Sequence, residues 1–144
     1  MLKTIDPLLG PDLLRVLALM GHGDEIVIAD GNFPAASVAA HCVIKEPLFL
    51  PSDAIRALQA VLSLLPLDRF EGAPVVTMQV VGAPDEIPEV VAEAKPLLAA
   101  EGAASEALER FAFYERAKKA FAVVATTETR IYANFILRKG VITG

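Results

Sequence analysis

A histidine between two glycines, Gly21-His22-Gly23, is the first candidate for acid/base chemistry in this chain. The glycines permit unusual backbone angles and leave the imidazole unshielded, so a ligand can approach it closely. The motif falls where a predicted helix ends and a strand begins, and a helix C-terminus favours a cation on a group that already titrates near neutrality. The position suits an acid catalyst. Alternatively, Gly21 and Gly23 only end the helix and His22 lies in solvent.

Three further groupings could hold a polar ligand. Asp30 follows the apolar run Glu25-Ile26-Val27-Ile28-Ala29, so it sits at the carboxyl end of a predicted strand, where α/β proteins bind ligands. It could equally accept bonds from its own Asp30-Gly31-Asn32 turn. Tyr132-Ala133-Asn134 heads another apolar run, and on a strand Tyr132 and Asn134 would face the same side. A phenol and an amide there form a rim for a hydroxyl-rich ligand, or the polar edge of a half-buried strand. Arg110 leads Phe111-Ala112-Phe113-Tyr114 and could bind hydroxyls or cover a helix end.

Sharper chemistries are not supported. Gly21-x-Gly23 precedes its strand instead of following it and lacks the third glycine of a dinucleotide fingerprint. His41 and Cys42 are adjacent, so on a strand they would point apart, and two histidines with one cysteine make a poor metal inventory. Ser37 stands in no Gly-x-Ser-x-Gly elbow, and no glycine-rich loop carries Lys-Ser/Thr. Neither a metal nor a cofactor is expected.

Positioning these residues requires alternating elements. Gly10-Pro11-Asp12 opens a helix whose apolar face is Leu13, Leu14, Leu17 and Met20. Ser52-Asp53 caps a second, with Ile55, Leu58, Val61, Leu62 and Leu65 at helical spacing until Pro66. Pro88 starts a third, which Pro96 is expected to kink or break. From Ser105 onward Leu108, Phe111, Tyr114 and Ala117 recur every three residues and predict another. Strands are expected over Glu25–Ala29, Pro74–Val81, Phe121–Ala125 and Tyr132–Leu137. The alternation predicts a single α/β domain over residues 1–144, three-layered, with a central sheet covered by helices on both faces.

Composition narrows the class. With 144 residues the chain fits one core. Hydrophobic residues make up 54% and charged residues 22%, an apolar balance that a small globule cannot wholly bury. The longest stretch free of Asp, Glu, Lys and Arg, Gly31 to Ile44, is well short of the ~20 residues of a membrane span. The surplus therefore predicts a homo-oligomer. A net charge of -5 without a basic cluster argues against nucleic acid. An acid and a proline at Asp6-Pro7 spoil a signal peptide, and the lone Cys42 suits a buried thiol, so a cytoplasmic location is expected.

The same segments resemble the fucose mutarotase and ribose pyranase family, whose members interconvert the anomeric or ring forms of free sugars. Leu17-Ala18-Leu19-Met20-Gly21-His22-Gly23-Asp24-Glu25-Ile26, Asp30-Gly31-Asn32-Phe33-Pro34-Ala35 and Arg110-Phe111-Ala112-Phe113-Tyr114-Glu115-Arg116-Ala117 are similar to the L-fucose branch, while Tyr132-Ala133-Asn134 and Lys139-Gly140-Val141 fit both branches. The resemblance implies an L-fucose mutarotase-like isomerase with His22 as proton donor and the Tyr132-Ala133-Asn134 segment at the sugar; since ring opening needs one acid and one base, Tyr132 is expected to be the catalytic partner of His22. It also implies that Asp30, Arg110 and Asn134 bind the monosaccharide. A decameric ring with sites near subunit contacts is implied as well. Two departures bear on the sugar: the fucose branch carries histidine at Asn32 and glycine at Ala133, and the pyranase branch shares the alanine. D-ribose pyranose/furanose exchange and a non-catalytic sugar-binding module are the alternatives.

Overall fold

The run Glu25–Ala29 forms strand β1, and Ile26, Val27, Ile28 and Ala29 are all sealed from solvent. A strand buried on both faces needs cover on both. In the computed structural model, which describes residues 1–144, β1 lies between β5 (Ala122–Thr126), to which it is parallel, and β6 (Phe135–Arg138), to which it is antiparallel. Strand β2 (Leu48–Leu50) flanks β5, and β3 (Val75–Met78) and β4 (Ser105–Leu108) lie beyond β6. The order is β2-β5-β1-β6-β3-β4, with β6 alone running against the rest.

Side-chain alternation along the strands divides the interior in two. Ile26 and Ile28 join Val124, Phe135 and Leu137 beneath α1 (Pro11–Leu19), α3 (Ala54–Leu62) and α4 (Glu89–Ala100). Val27 and Ala29 join Val123 and Ile136 beneath α2 (Ala35–Ala39) and α5 (Arg110–Lys118). Each fully buried Val or Ile contributes about 1.5–3 kcal/mol. A slip of one residue would exchange the two sets, so the register of β1 is strongly specified. The three-layered α/β arrangement expected from the alternation is the one observed, and Cys42 is buried as expected. No helix is long and apolar enough to cross a membrane.

Several local expectations need correction. Helix α4 runs unbroken through Pro96, whose side chain is exposed, so the carbonyl it leaves without an N–H partner lies on the solvent side of the helix. Residues 105–108 are the edge strand β4, not helix, and α5 buries Phe113 and Ala117 while Phe111 points outward. Tertiary pairing with β3 overrides the three-residue repeat there. The short elements α2 and β2 carry too few periodic residues to be legible alone. Tyr132 precedes β6 in a left-handed conformation, φ 60°, so it and Asn134 are not alternate residues of a strand.

The link from β5 to β6 is pinned by buried Glu128, which accepts hydrogen bonds from the Ala54 N–H at 3.1 Å and from Arg130 Nε at 3.0 Å. The Arg130 side chain, aided by the backbone N–H groups of Arg130 and Ala54, brings its carboxyl down from 4.5 to about 2. A carboxyl depressed on folding stabilises the folded state above its unfolded value, and that contribution is lost as pH falls through the folded one. Urea midpoints taken from pH 5 to pH 2 are therefore expected to fall for the native chain and to fall less steeply for Glu128→Gln.

Candidate functional site

Antiparallel pairing of β1 with β6 places Ile28 opposite Phe135, so the polar residues just past them converge at one end of the sheet. There the Asp30 N–H donates to Asn134 Oδ1 at 2.9 Å, and Asn134 Nδ2 donates back to Asp30 Oδ2 at 3.1 Å. Both residues are buried. Asp30 Oδ1 also accepts the Asn32 N–H at 3.0 Å, so the aspartate closes its own turn and faces the site at once. Gly31 beside it is closely packed, since a Cβ would lie 3.1 Å from the Glu128 carbonyl oxygen and that backbone would have to give by a few tenths of an ångström.

A cavity of about 200 Å³ opens over this pair, bounded by Asn32, Tyr114, Ile131, Tyr132 and Arg110. Drug-sized sites usually span ~300–1,000 Å³, so this space suits a small polar ligand. The Tyr132 phenol oxygen accepts the Val81 N–H at 3.2 Å, which fixes the ring at the rim. Arg110 is the first residue of α5, and Glu109 caps that helix by accepting the Phe111 and Ala112 N–H groups. The Arg110 guanidinium lies 4.6 Å from the Phe111 ring centroid, and its buried Nε has no protein partner. A buried donor without a partner costs free energy, and a ligand oxygen would relieve it.

His22 stands at the other end of the same strand pair. The Gly23 N–H donates to the Lys139 carbonyl at 2.9 Å, and the Lys139 N–H donates to the Asp24 carbonyl at 2.8 Å. At ~3.3 Å per residue, β1 alone spans roughly 15 Å, and His22 and Asp30 lie beyond its opposite ends. Within one chain, then, Asp30, Arg110, Tyr132 and Asn134 come together and His22 does not join them. Nor does His22 sit on the end of α1: that helix stops at Leu19, before the glycines, and Lys139 Nζ occupies the Leu17 and Met20 carbonyls.

Around His22 the fold assembles groups that no sequence motif connects. His22 Nε2 is 3.1 Å from Asp68 Oδ1, and its ring meets Phe70 edge-on with centroids 5.4 Å apart. Asp68 Oδ2 accepts Arg138 Nε at 2.9 Å, and Oδ1 also accepts the Phe70 N–H at 3.1 Å. The Phe70 N–H, with Arg138 and His22, lowers the Asp68 carboxyl from 3.8 to about 2. Asp68 follows no recognisable motif and is 46 residues from His22, so only the fold could reveal the pair.

Comparison with known proteins adds an independent line. The model of the RbsD / FucU transport protein family matches residues 3–142. The fucose mutarotase of Homo sapiens is 48% identical over 149 residues, covering 98% of this chain and 94% of that protein. Among solved structures, the fucose mutarotase of Streptococcus pneumoniae in complex with L-fucose aligns with a TM-score of 0.86 at 39% identity, covering 99% of this chain and all of that one. RbsD of Bacillus subtilis, complexed with D-ribose, aligns with a TM-score of 0.71 at 25% identity over the same 99% of this chain and 100% of its own.

Gly140 holds the two loops of the His22 end together. Its N–H donates to the Pro66 carbonyl at 2.7 Å, and a Cβ there would lie 2.5 Å from the Leu67 carbonyl oxygen and 2.9 Å from the Asp68 Cα. Those neighbours are backbone and cannot step aside cheaply. Gly140→Ala is expected to cost about 1–3 kcal/mol in urea denaturation, and to broaden or shift the His22 ring resonances because the Asp68 loop must move.

Proposed function

The chain belongs to the RbsD / FucU transport protein family, and on that premise we propose that it is a sugar mutarotase, an isomerase interconverting the α and β anomers of L-fucose or a similar free aldose. The observation that carries this reading is the small cavity in which Asp30, Asn134, Tyr132 and the unpartnered Arg110 Nε converge. Carboxylate, amide and guanidinium between them can accept from and donate to several neighbouring hydroxyls. Asp30, Arg110 and Asn134 hold the sugar in this reading.

Mutarotation opens a hemiacetal. One proton leaves the anomeric hydroxyl as another reaches the ring oxygen, the bond from the anomeric carbon to the ring oxygen breaks, and a carbonyl forms. Closure on its opposite face reverses both transfers. A neutral imidazole and a phenol suffice: His22 takes the first proton while Tyr132 gives the second, and on closure each group reverses its role, so His22 donates in that half of the cycle. The Val81 N–H, directed at the Tyr132 oxygen, supports the phenolate that forms transiently.

Because His22 and Tyr132 lie at opposite ends of one strand pair, their joint action needs two copies of the chain. Each end carries apolar surface suited to burial: Phe70, 69% exposed, beside His22, and Ile131, 67% exposed, beside Tyr132. A homo-oligomer, a decameric ring by the family likeness, would bring the His22 of one copy to the cavity of another. The apolar composition and the buried Cys42 thiol fit such an assembly in the cytoplasm. Asn32 on the cavity wall favours one second reading, a changed sugar preference extending to D-ribose ring exchange.

Saturation-transfer NMR on a panel of free sugars tests this. L-fucose anomer exchange is expected to be catalysed and to fall about 10²–10⁴-fold in His22→Ala and in Tyr132→Phe. Binding without exchange would favour a non-catalytic sugar-binding module, and faster exchange of D-ribose would favour the pyranase. If each site draws on two copies, unfolding and refolding the two inactive variants together in equal amounts should recover about a quarter of native activity, by random pairing. Recovery of none would place both groups' action within one chain.

A further inference from the structure

Buried Asp68 and half-exposed His22 form a pair that the reaction just described does not by itself explain. Asp68 is 4% exposed at its side chain, and Arg138 already balances its charge through Nε at 2.9 Å. A further bond to a histidine whose side chain is 47% exposed adds little stability, since solvent-exposed ion pairs contribute ~0–1 kcal/mol. What the bond does supply is orientation.

The chemistry of the pair is one-directional. Asp68 is held as a carboxylate by Arg138 and the Phe70 N–H, and a carboxylate only accepts. The hydrogen between them must therefore belong to His22 Nε2, which leaves Nδ1 of the neutral ring with a free lone pair. Phe70 packs edge-on against the ring, centroids 5.4 Å apart. The other charged groups nearby are committed elsewhere: Asp24 accepts the Gly21 N–H at 2.7 Å, the Lys139 ammonium lies on the carbonyls of Leu17 and Met20, and Arg138 also donates to the Glu71 carbonyl.

The backbone fixes both loops to one support. The Asp68 N–H donates to the Arg138 carbonyl at 3.0 Å, the Gly23 N–H to the Lys139 carbonyl at 2.9 Å, and the Gly140 N–H to the Pro66 carbonyl at 2.7 Å. Three consecutive residues at the end of β6 thus place the histidine loop and the aspartate loop side by side.

Resting on the mutarotase reading, we propose that Asp68 is the positioning residue of His22: by accepting the Nε2 hydrogen it selects one tautomer and presents Nδ1 to the sugar. When Nδ1 takes up the anomeric proton, the carboxylate also faces the imidazolium that forms, as orienting carboxylates do beside catalytic histidines. Asp68 does not touch the substrate.

The decisive measurement uses the native protein. Two-bond proton–nitrogen NMR of the histidine rings, with His22 identified by its loss in His22→Ala, should show Nε2 protonated and Nδ1 bare in the neutral ring. The opposite tautomer overturns the proposal whether or not the protein turns over fucose, so failure of the mutarotase reading and failure of this one are distinguishable. In Asp68→Asn the amide can also donate, and a mixed tautomer is expected. L-fucose exchange should then fall about 10–100-fold at nearly unchanged KM, with partial recovery in Asp68→Glu. A folded Asp68→Asn protein with native kcat would overturn the assignment, and if that variant fails to fold, the native ring spectrum still decides.

Discussion

The pairing of β1 with β6 governs everything that this molecule can do at either end of its sheet. Glu25 lies opposite Arg138 and Ile28 opposite Phe135, so continuing the ladder in one direction brings Asp30 to Asn134, and in the other brings Gly23 to Lys139. Two polar clusters result from a single register. The pair is buried on both faces, which makes that register expensive to change and holds both clusters rigidly. The same register keeps them at opposite ends of β1, so His22 and the cavity lined by Tyr132 do not meet within one chain.

Both ends handle buried carboxylates alike. Asp30 and Asp68 are each buried, and each accepts the N–H of the residue two positions on, Asn32 and Phe70 respectively. Each also receives a side-chain donor from the β6 region, Asn134 for one and Arg138 for the other. A buried carboxyl left unpartnered would be prohibitive, whereas Asp30 with two donors and Asp68 with three are each tolerated and held in place. Immobility is what a proton-transfer site needs, because misplacement by about 1 Å can cost ~10²-fold in rate.

Only two non-glycine residues adopt a positive φ, the exposed Thr4 near the N-terminus and Tyr132 on the cavity rim. Tyr132 adopts a positive φ that costs of order 1–3 kcal/mol for a non-glycine residue. It is held there by the Val81 N–H on its hydroxyl, and its neighbours Ala133 and Asn134 are buried. The strained turn moves the phenol off the strand face and over the cavity, where a regular strand would have carried it elsewhere.

Much of this was legible from residue order. Periodicity placed α1, α3 and β1, because their apolar faces are long and uninterrupted, and turn chemistry placed Asp30 at the end of β1. The grouping of Asp30 with Asn134, Tyr132 and Arg110 also followed, through motif likeness. What local pattern could not supply were the edge strand β4, whose identity comes from its pairing with β3, and the left-handed Tyr132, whose conformation is enforced by Val81. Nor could it supply Asp68, which meets His22 only because Gly140 lets two distant backbones touch. Apolar spacing and turn residues act over a few positions and are written in the chain, whereas pairing register and close backbone approach join residues tens of positions apart and exist only once the sheet has formed.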